Sequence, residues 1–293
     1  MMLSLINREF SRNIGLLTEA EQARLLESRV AVAGAGGVGG IHLLTLARLG
    51  VGKFNIADLD VFEPVNISRQ FGAFHSTTGR PKAEVMAEMI RDINPQAEIT
   101  LFPEGISSTN VEEFLEGTNV YVDGIEFFQI DIRRLIFSTA RRKGIYALTS
   151  APLGFGATLQ VFAPEGMSFD DYFGINDGME RLEKLAAFAA GLAPRPYHLK
   201  YLDRSKVSIK EEKGPAVSPA CTLAASLVAT EVVKILTGKK GPKPVPHYLQ
   251  IDMLRRKLHK GYVWGGGKNP LLRILRYYIL REFRKEYGDN LPA

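Results

Sequence analysis

Cysteine is almost missing from this 293-residue chain; Cys221 stands alone. A disulfide framework is thereby excluded, and so is a zinc site built from paired CxxC motifs within the chain. Tryptophan also occurs once, at Trp264. The five histidines (His42, His75, His198, His247 and His259) include no pair at ligand spacing, so neither a histidine metal site nor a histidine-based triad is supported. No uninterrupted apolar run reaches about 18 residues, so integral membrane association is not expected. The opening MMLSLINREF lacks the basic-then-apolar pattern of a secretory leader, which makes the cytoplasm the expected address. Internal repeats and low-complexity tracts are likewise not found.

What is present is an ordinary globular composition with 45% hydrophobic and 24% charged residues. The net charge of +5 is unevenly spread. Gly238 to Ala293 carries 13 Lys/Arg against 4 Asp/Glu, while the rest carries 24 against 28. The basic balance therefore belongs to the tail, where it can meet RNA, an anionic surface or an acidic protein, or simply face water.

The pattern of elements alternates. Thr18 and Glu21 form a capping box that opens a helix to about Ser28. RVAVA is a short buried strand running into glycines, and IHLLTLARLG reads as the helix that follows, closed by Gly50. KFNIADLD, AEITLFP, NVYVDGI, IYALTSA and GATLQVFAP read as further strands. RPKAEVMAEMIRDI, TNVEEFLEG and QIDIRRLIFSTARRKG read as the helices between them. This predicts an α/β, Rossmann-like fold: a mostly parallel sheet with helices on both faces. The expected divisions are an N-terminal helical segment (1–29), a nucleotide-binding domain (30–238) with an irregular insertion or crossover (165–215), and a basic extension (239–293). That extension holds a late strand in PVPHYLQIDM, a Gly-rich connector GYVWGGGKNP and a C-terminal amphipathic helix. Its core-facing stripe is Leu272, Leu275, Ile279 and Phe283.

Two motifs carry chemistry. Gly34, Gly36 and Gly39, with Gly37 between them, give GxGxxG at a strand-to-helix junction. Glycine there permits a tight turn and close approach of a phosphate or ribose, and the helix N-terminus supplies free N–H groups. By itself this does not choose between NAD, FAD and ATP. About twenty residues on, Asp58 is placed to accept ribose hydroxyls. IADLDVFEPVNISRQ then adds Asn66, Arg69 and Gln70, and Lys82 opens the next helix. Cations beside a nucleotide site suit a triphosphate, whose charge they neutralise as a leaving group departs. A redox dinucleotide has no comparable need.

These stretches, with FSRNI, GRPKAEVMAEMIRDINP, VYVDGIE and SLVATEVVKILTG, resemble the ThiF, MoeB and HesA adenylating enzymes related to ubiquitin activation. The resemblance runs from about Phe10 to Gly238. It implies ATP-dependent adenylation of a carboxylate, in the family the C-terminal glycine of a ubiquitin-like or sulfur-carrier protein, with release of pyrophosphate. It implies that Asp58 binds the ribose, that Asn66, Arg69 and Lys82 contact phosphates, and that Arg12 reaches across a homodimer interface. In the family's D-x-x-D-N run, which binds Mg²⁺, this chain reads Asp123-Gly124-Ile125-Glu126-Phe127. Glu126 therefore takes the second acidic position and Phe127 replaces the amide, with Asp123 the other candidate ligand. The paired zinc cysteines of many members are missing, which points to a zinc-free branch.

Cys221 lies outside the 165–215 crossover, so a thioester step in that loop is not expected. At a helix N-terminus Cys221 has two readings, an activated nucleophile or a small core residue. Three other readings stay open: adenylation of a carboxyl group on a modified tRNA base, a degenerate nucleotide-binding subunit, and a Rossmann oxidoreductase.

Overall fold

The computed structural model describes residues 8–287. The first seven residues of the expected N-terminal segment and the last six of the basic extension lie outside the described residues.

Five short strands form a parallel block. They are β1 (Arg29–Ala33), β2 (Lys53–Ala57), β3 (Glu98–Phe102), β4 (Val120–Asp123) and β5 (Tyr146–Thr149). Their spatial order is β3-β2-β1-β4-β5. β1 and β4 are apolar on successive residues because both of their faces are covered, as parallel strands require. Val30, Val32, Val120 and Val122 face one layer, while Ala31, Ala33 and Tyr121 face the other.

The first layer holds helices α1 (Glu19–Glu27), α2 (Gly37–Arg48) and α3 (Lys82–Ile93). The second begins with the short α4 (Val111–Phe114) and α5 (Ile130–Arg142). Thr18 caps α1, and its box with Glu21 is formed in full. α2 begins four residues earlier than the apolar pattern alone would start it, so glycines make its first turn.

Beyond β5 the sheet changes direction. A two-residue strand β6 (Pro152–Leu153) pairs with β7 (Gly156–Phe162), which runs antiparallel to β5. β8 (His247–Asp252) and β9 (Lys257–Tyr262) follow as antiparallel neighbours, completing nine strands among the described residues. β9 is not evident from sequence. KLHKGY is largely polar because the strand lies at the sheet edge, where both faces meet solvent. Of GYVWGGGKNP, the first two residues belong to β9, and the glycines form a 3-10 turn at Gly266–Lys268.

The 165–215 stretch is also more ordered than its composition suggests. It contains α6 (Phe169–Phe173) and α7 (Arg181–Leu192). Phe169, Tyr172, Phe173 and Phe188 are buried in the second layer, in a run of tilted and edge-to-face ring contacts with Phe137 and Phe162. Each such pair adds about 0.5–1.5 kcal/mol beyond area burial. The C-terminal helix α9 (Pro270–Tyr287) packs along α7, with Leu272, Leu275 and Phe283 against the core.

Helix α8 (Ser218–Thr237) is, among the described residues, the one helix long and apolar enough to cross a bilayer by length and composition. Its composition has a local cause: Val228, Ala229 and Val232 are buried, packed between α2 and β7.

His42, on α2, is fully buried and neither ring nitrogen has a partner among the described residues. Burial pushes its pKa from 6.5 down to about 3. The ring is thus neutral in the folded protein, whereas the unfolded chain takes up a proton below about pH 6.5. Stability from this group is complete above that pH and is lost as pH falls toward 3. The expected loss between pH 7.5 and pH 5 is about 2 kcal/mol. Denaturant titrations at the two pH values should show it, and His42→Leu should remove that part of the slope.

Candidate functional site

The register places the site. Ala33 pairs with Ala57 on one side and Asp123 on the other. The residues just beyond the strand ends (Gly34, Asp58 and Gly124) therefore lie side by side. This is the crevice at the carboxyl ends of parallel strands, where the order departs from β1 in both directions.

Three glycines meet there. A Cβ on Gly34 would lie 2.2 Å from the Gly124 carbonyl oxygen, and Gly34 has φ +87°. A Cβ on Gly39 would lie 1.7 Å from the Gly34 oxygen. Neither backbone tolerates a side chain. Gly36 and Gly37 are different, because they face side chains: Gln70 at 3.5 Å and Cys221 Sγ at 3.4 Å from the added Cβ. The loop thus lies under the start of α8 and beside the turn after β2.

Asp58 holds this loop. Its Oδ2 accepts from the Ala35 N–H at 2.6 Å and its Oδ1 from the Asp60 N–H at 2.8 Å. Partial burial raises its pKa, opposed by those two backbone donors and by Lys82. Lys82, on the first turn of α3, is buried and pairs with Asp60 at 2.9 Å. Asp60 had no role in the sequence pattern; here it is the counter-ion of the phosphate-contacting candidate.

Asn66 is buried, and its Oδ1 accepts from the Glu63 N–H, which fixes the amide. Arg69 donates to the Val65 carbonyl at 3.1 Å. Gln70 is buried and its Oε1 has no partner among the described residues, a condition that buried groups facing a ligand often show.

Glu126 follows β4 and is exposed. Its carboxyl is raised in pKa, first by desolvation and then by the carboxylates of Asp60 and Glu212, against Lys82 and Arg69. Those four groups are therefore its electrostatic neighbours. Asp123, the other candidate metal ligand, is otherwise engaged. Its Oδ2 accepts from Arg133 Nε and from Thr149 Oγ1, both at 2.8 Å, and its Oδ1 from the Ile125 N–H at 3.2 Å. No group of three or more His, Cys, Asp or Glu side chains is arranged to hold a metal among the described residues. A single carboxylate, Glu126, fits Mg²⁺ only in the way that ion is commonly held, with phosphate and water oxygens completing the shell. The glycine cradle and the orphaned Gln70 oxygen fit a nucleotide.

Sequence reasoning missed Arg133. It is buried with Asp123, and it also donates to the carbonyls of Ile125, Glu126 and Phe127 at 2.5, 3.1 and 3.4 Å, with its guanidinium 4.6 Å from the Phe188 ring centre. An arginine in the first turn of an amphipathic helix carries no local signal of such a role. Arg12 is placed elsewhere. It is exposed in a 3-10 turn, Arg8–Asn13, without a hydrogen bond or ion pair among the described residues.

Cys221 is buried at the start of α8, and burial pushes its thiol up to about 11 against the opposing pull of Arg69. A thiol in that state stays protonated at neutral pH, which favours the small-core-residue reading.

Fold and site together define a Rossmann-like α/β protein in which Asp58, Lys82 and Arg69 lie beside a glycine-rich strand-to-helix loop. Residues 10–263 match the ThiF family, and the chain belongs to it. It is similar to the SAMP-activating enzyme E1 of Haloferax volcanii, 35% identical over half of this chain and 53% of that protein. It is also similar to the tRNA threonylcarbamoyladenosine dehydratase of Haemophilus influenzae, 31% identical over 47% of this chain and 53% of that protein. The chain spans about half the length of these relatives. The crystal structure of Escherichia coli MccB with ATP shares the fold, at a TM-score of 0.64 and 18% identity over 91% of this chain and 73% of that one.

Removing the Arg133 guanidinium should leave Asp123 as an unpaired buried charge. Arg133→Met is expected to cost about 3–5 kcal/mol in chemical unfolding. Asp123→Asn with Arg133→Met should recover part of that loss, whereas a packing role for Arg133 alone predicts no recovery.

Proposed function

We propose that this protein is an ATP-dependent adenylyltransferase that activates a carboxylate, the C-terminal glycine of a ubiquitin-like or sulfur-carrier protein, through an acyl-adenylate. The observation that carries this reading is the convergence of Asp58, Lys82, Arg69 and Glu126 around the glycine loop. Membership of the ThiF family and similarity to a SAMP-activating E1 support it.

In this reading the glycine loop and the first turn of α2 take the phosphates with backbone N–H groups. Asp58 accepts the ribose hydroxyls while keeping the loop closed. Lys82 and Arg69 neutralise charge that builds on the phosphates as the carboxylate oxygen attacks the α-phosphorus and pyrophosphate leaves. Asn66 offers its amide N–H₂ to the same region. Glu126 would hold Mg²⁺, which when bound would supply positive charge to the leaving group. Arg12, whose side chain has no partner among the described residues, would complete the site of a second copy in a homodimer. Apolar residues exposed near it and along the turn after β2 (Ile14, Leu16, Leu59, Val65 and Phe74) would be covered there. Such an enzyme works where ATP is abundant, in the cytoplasm.

Exchange of labelled pyrophosphate into ATP, tested with small carrier proteins ending in Gly-Gly, is the direct assay. Lys82→Ala and Arg69→Ala should each lower exchange by roughly 10²–10³-fold, the scale of removing one donor at a developing charge. Asp58→Ala should act mainly on KM for ATP. Wild-type protein that binds NAD and ignores ATP would overturn the reading.

A second reading is adenylation of a carboxyl group on a modified tRNA base. The similarity to tRNA threonylcarbamoyladenosine dehydratases favours it, together with the basic turn and edge strand carrying Arg255, Arg256, Lys257 and Lys260. Deleting the extension is no test, because β8 pairs along β7 and is part of the sheet. The double change Arg256→Glu and Lys260→Glu keeps the strands. It should weaken tRNA binding at least tenfold in low salt and flatten its salt dependence; unchanged binding removes the basic edge from the argument.

A further inference from the structure

The C-terminal helix reaches the site through a chain of polar contacts. Near its end, Glu286 Oε2 accepts from the Ile209 N–H at 2.8 Å, the Lys210 N–H at 3.2 Å and the Ser208 hydroxyl at 3.4 Å. One carboxylate thus gathers three donors of a single turn. That turn is tight: Ser208 and Lys213 exchange both backbone hydrogen bonds at 2.9 Å, and Glu212 adopts φ +54°. Ile209 is buried in the second layer and pins the turn from below.

From the turn, the Glu212 carboxylate pairs with Arg181 at the start of α7. Arg181 also donates to the Phe128 carbonyl at 3.4 Å, two residues past Glu126. A parallel tie comes from Arg284, whose guanidinium lies 3.8 Å from both Glu180 and Glu183. The 123–127 side of the same loop is held by Arg133, so the loop bearing Glu126 is gripped from two ends by different arginines.

We propose that Glu286 is a positioning residue for Glu126, acting through the 208–213 turn and the Glu212–Arg181 pair. The proposal rests on the adenylation reading for the task of Glu126, but the mechanical linkage stands apart from it. The Glu286 carboxylate bonds to Ser208, Ile209 and Lys210, and to no residue of the glycine loop or of the 123–127 turn. A terminal helix that serves only as cover would need its apolar inner stripe, and nothing in that stripe calls for a carboxylate aimed at backbone amides in another segment. Because Glu286 sits at the far end of the helix, anything that lifts the last turn of α9 would release the 208–213 turn first.

Hydrogen exchange on the full-length protein reads the linkage directly. Glu286→Ala should speed exchange at Ile209 and Lys210 by at least about tenfold, and should also loosen the 124–129 segment. Arg181→Ala should loosen 124–129 while leaving Ile209 and Lys210 protected. Glu286→Gln keeps one acceptor oxygen and the same shape, so it should fall between wild type and Glu286→Ala and guard against a folding defect. On the functional side, Glu286→Ala should raise the Kd for ATP in the presence of Mg²⁺ about fivefold, with little change in EDTA. A loosened 208–213 turn with an unchanged 124–129 segment in Glu286→Ala overturns the proposal. So does an equal loss of ATP affinity with and without Mg²⁺. Wild-type protein that fails to bind ATP defeats the adenylation reading instead, and the exchange measurements still decide the linkage.

Discussion

Backbone meets backbone where Gly34, Gly39 and Gly124 come together, and the arrangement of everything else near the site depends on that contact. A Cβ on Gly124 would lie 2.6 Å from the Gly34 oxygen and 2.8 Å from the Gly39 Cα. The end of β1, the first turn of α2 and the turn after β4 are thereby pressed to the distance of touching main chains. With a side chain at any of the three, α2 would move away from the sheet. Its N–H groups would no longer point into the crevice, and the loop carrying Glu126 would shift from Lys82 and Arg69. Absence of side-chain volume here is what sets the geometry of charge.

Around this contact the molecule spends its buried polar groups on loops, and seldom on the helices or strands themselves. Asp58 ties the glycine loop, Asn66 fixes the turn before Arg69, and Arg133 collects three consecutive carbonyls after β4. A buried ion pair such as Arg133–Asp123 adds little net stability over an apolar replacement. Its use is to give irregular backbone one conformation, which packing against smooth apolar surface would not do. The antiparallel half of the sheet makes a different contribution. β7 is buried throughout and carries β8 and β9 outward, so the basic edge is rigidly continuous with the strands that end at the site.

The parts legible in sequence were those written in local spacing. Gly34, Gly36 and Gly39 between a buried strand and a helix, Asp58 one strand later, and Lys82 at a helix start all follow from residues near one another in the chain. The mostly parallel sheet follows from the alternation of elements. What stayed hidden depends on partners far apart. Lys82 and Asp60 are 22 residues apart, Glu286 and Ile209 are 77 apart, and no periodicity marks either pair. β9 was invisible because an edge strand exposes both faces and loses the apolar alternation that marks a covered one. The helix in GMERLEKLAAFAAGL was marked by its own pattern, but α6 was obscured by the Gly, Asn and Asp of the turn that follows it. Those residues shape connections and say nothing of the aromatic side chains that the helices bury.

The Lys82–Asp60 pair has a consequence for how the site meets its ligand. Lys82 is almost wholly enclosed, while Asp60 keeps 56% of its side chain in water. An anion drawn to the ammonium group meets it already paired with a carboxylate 2.9 Å away, and that carboxylate is also an electrostatic neighbour of Glu126. The pair therefore leaves the buried ammonium charge partly balanced from within the chain. For that ammonium charge, a ligand carrying several negative charges competes with Asp60 better than a singly charged one.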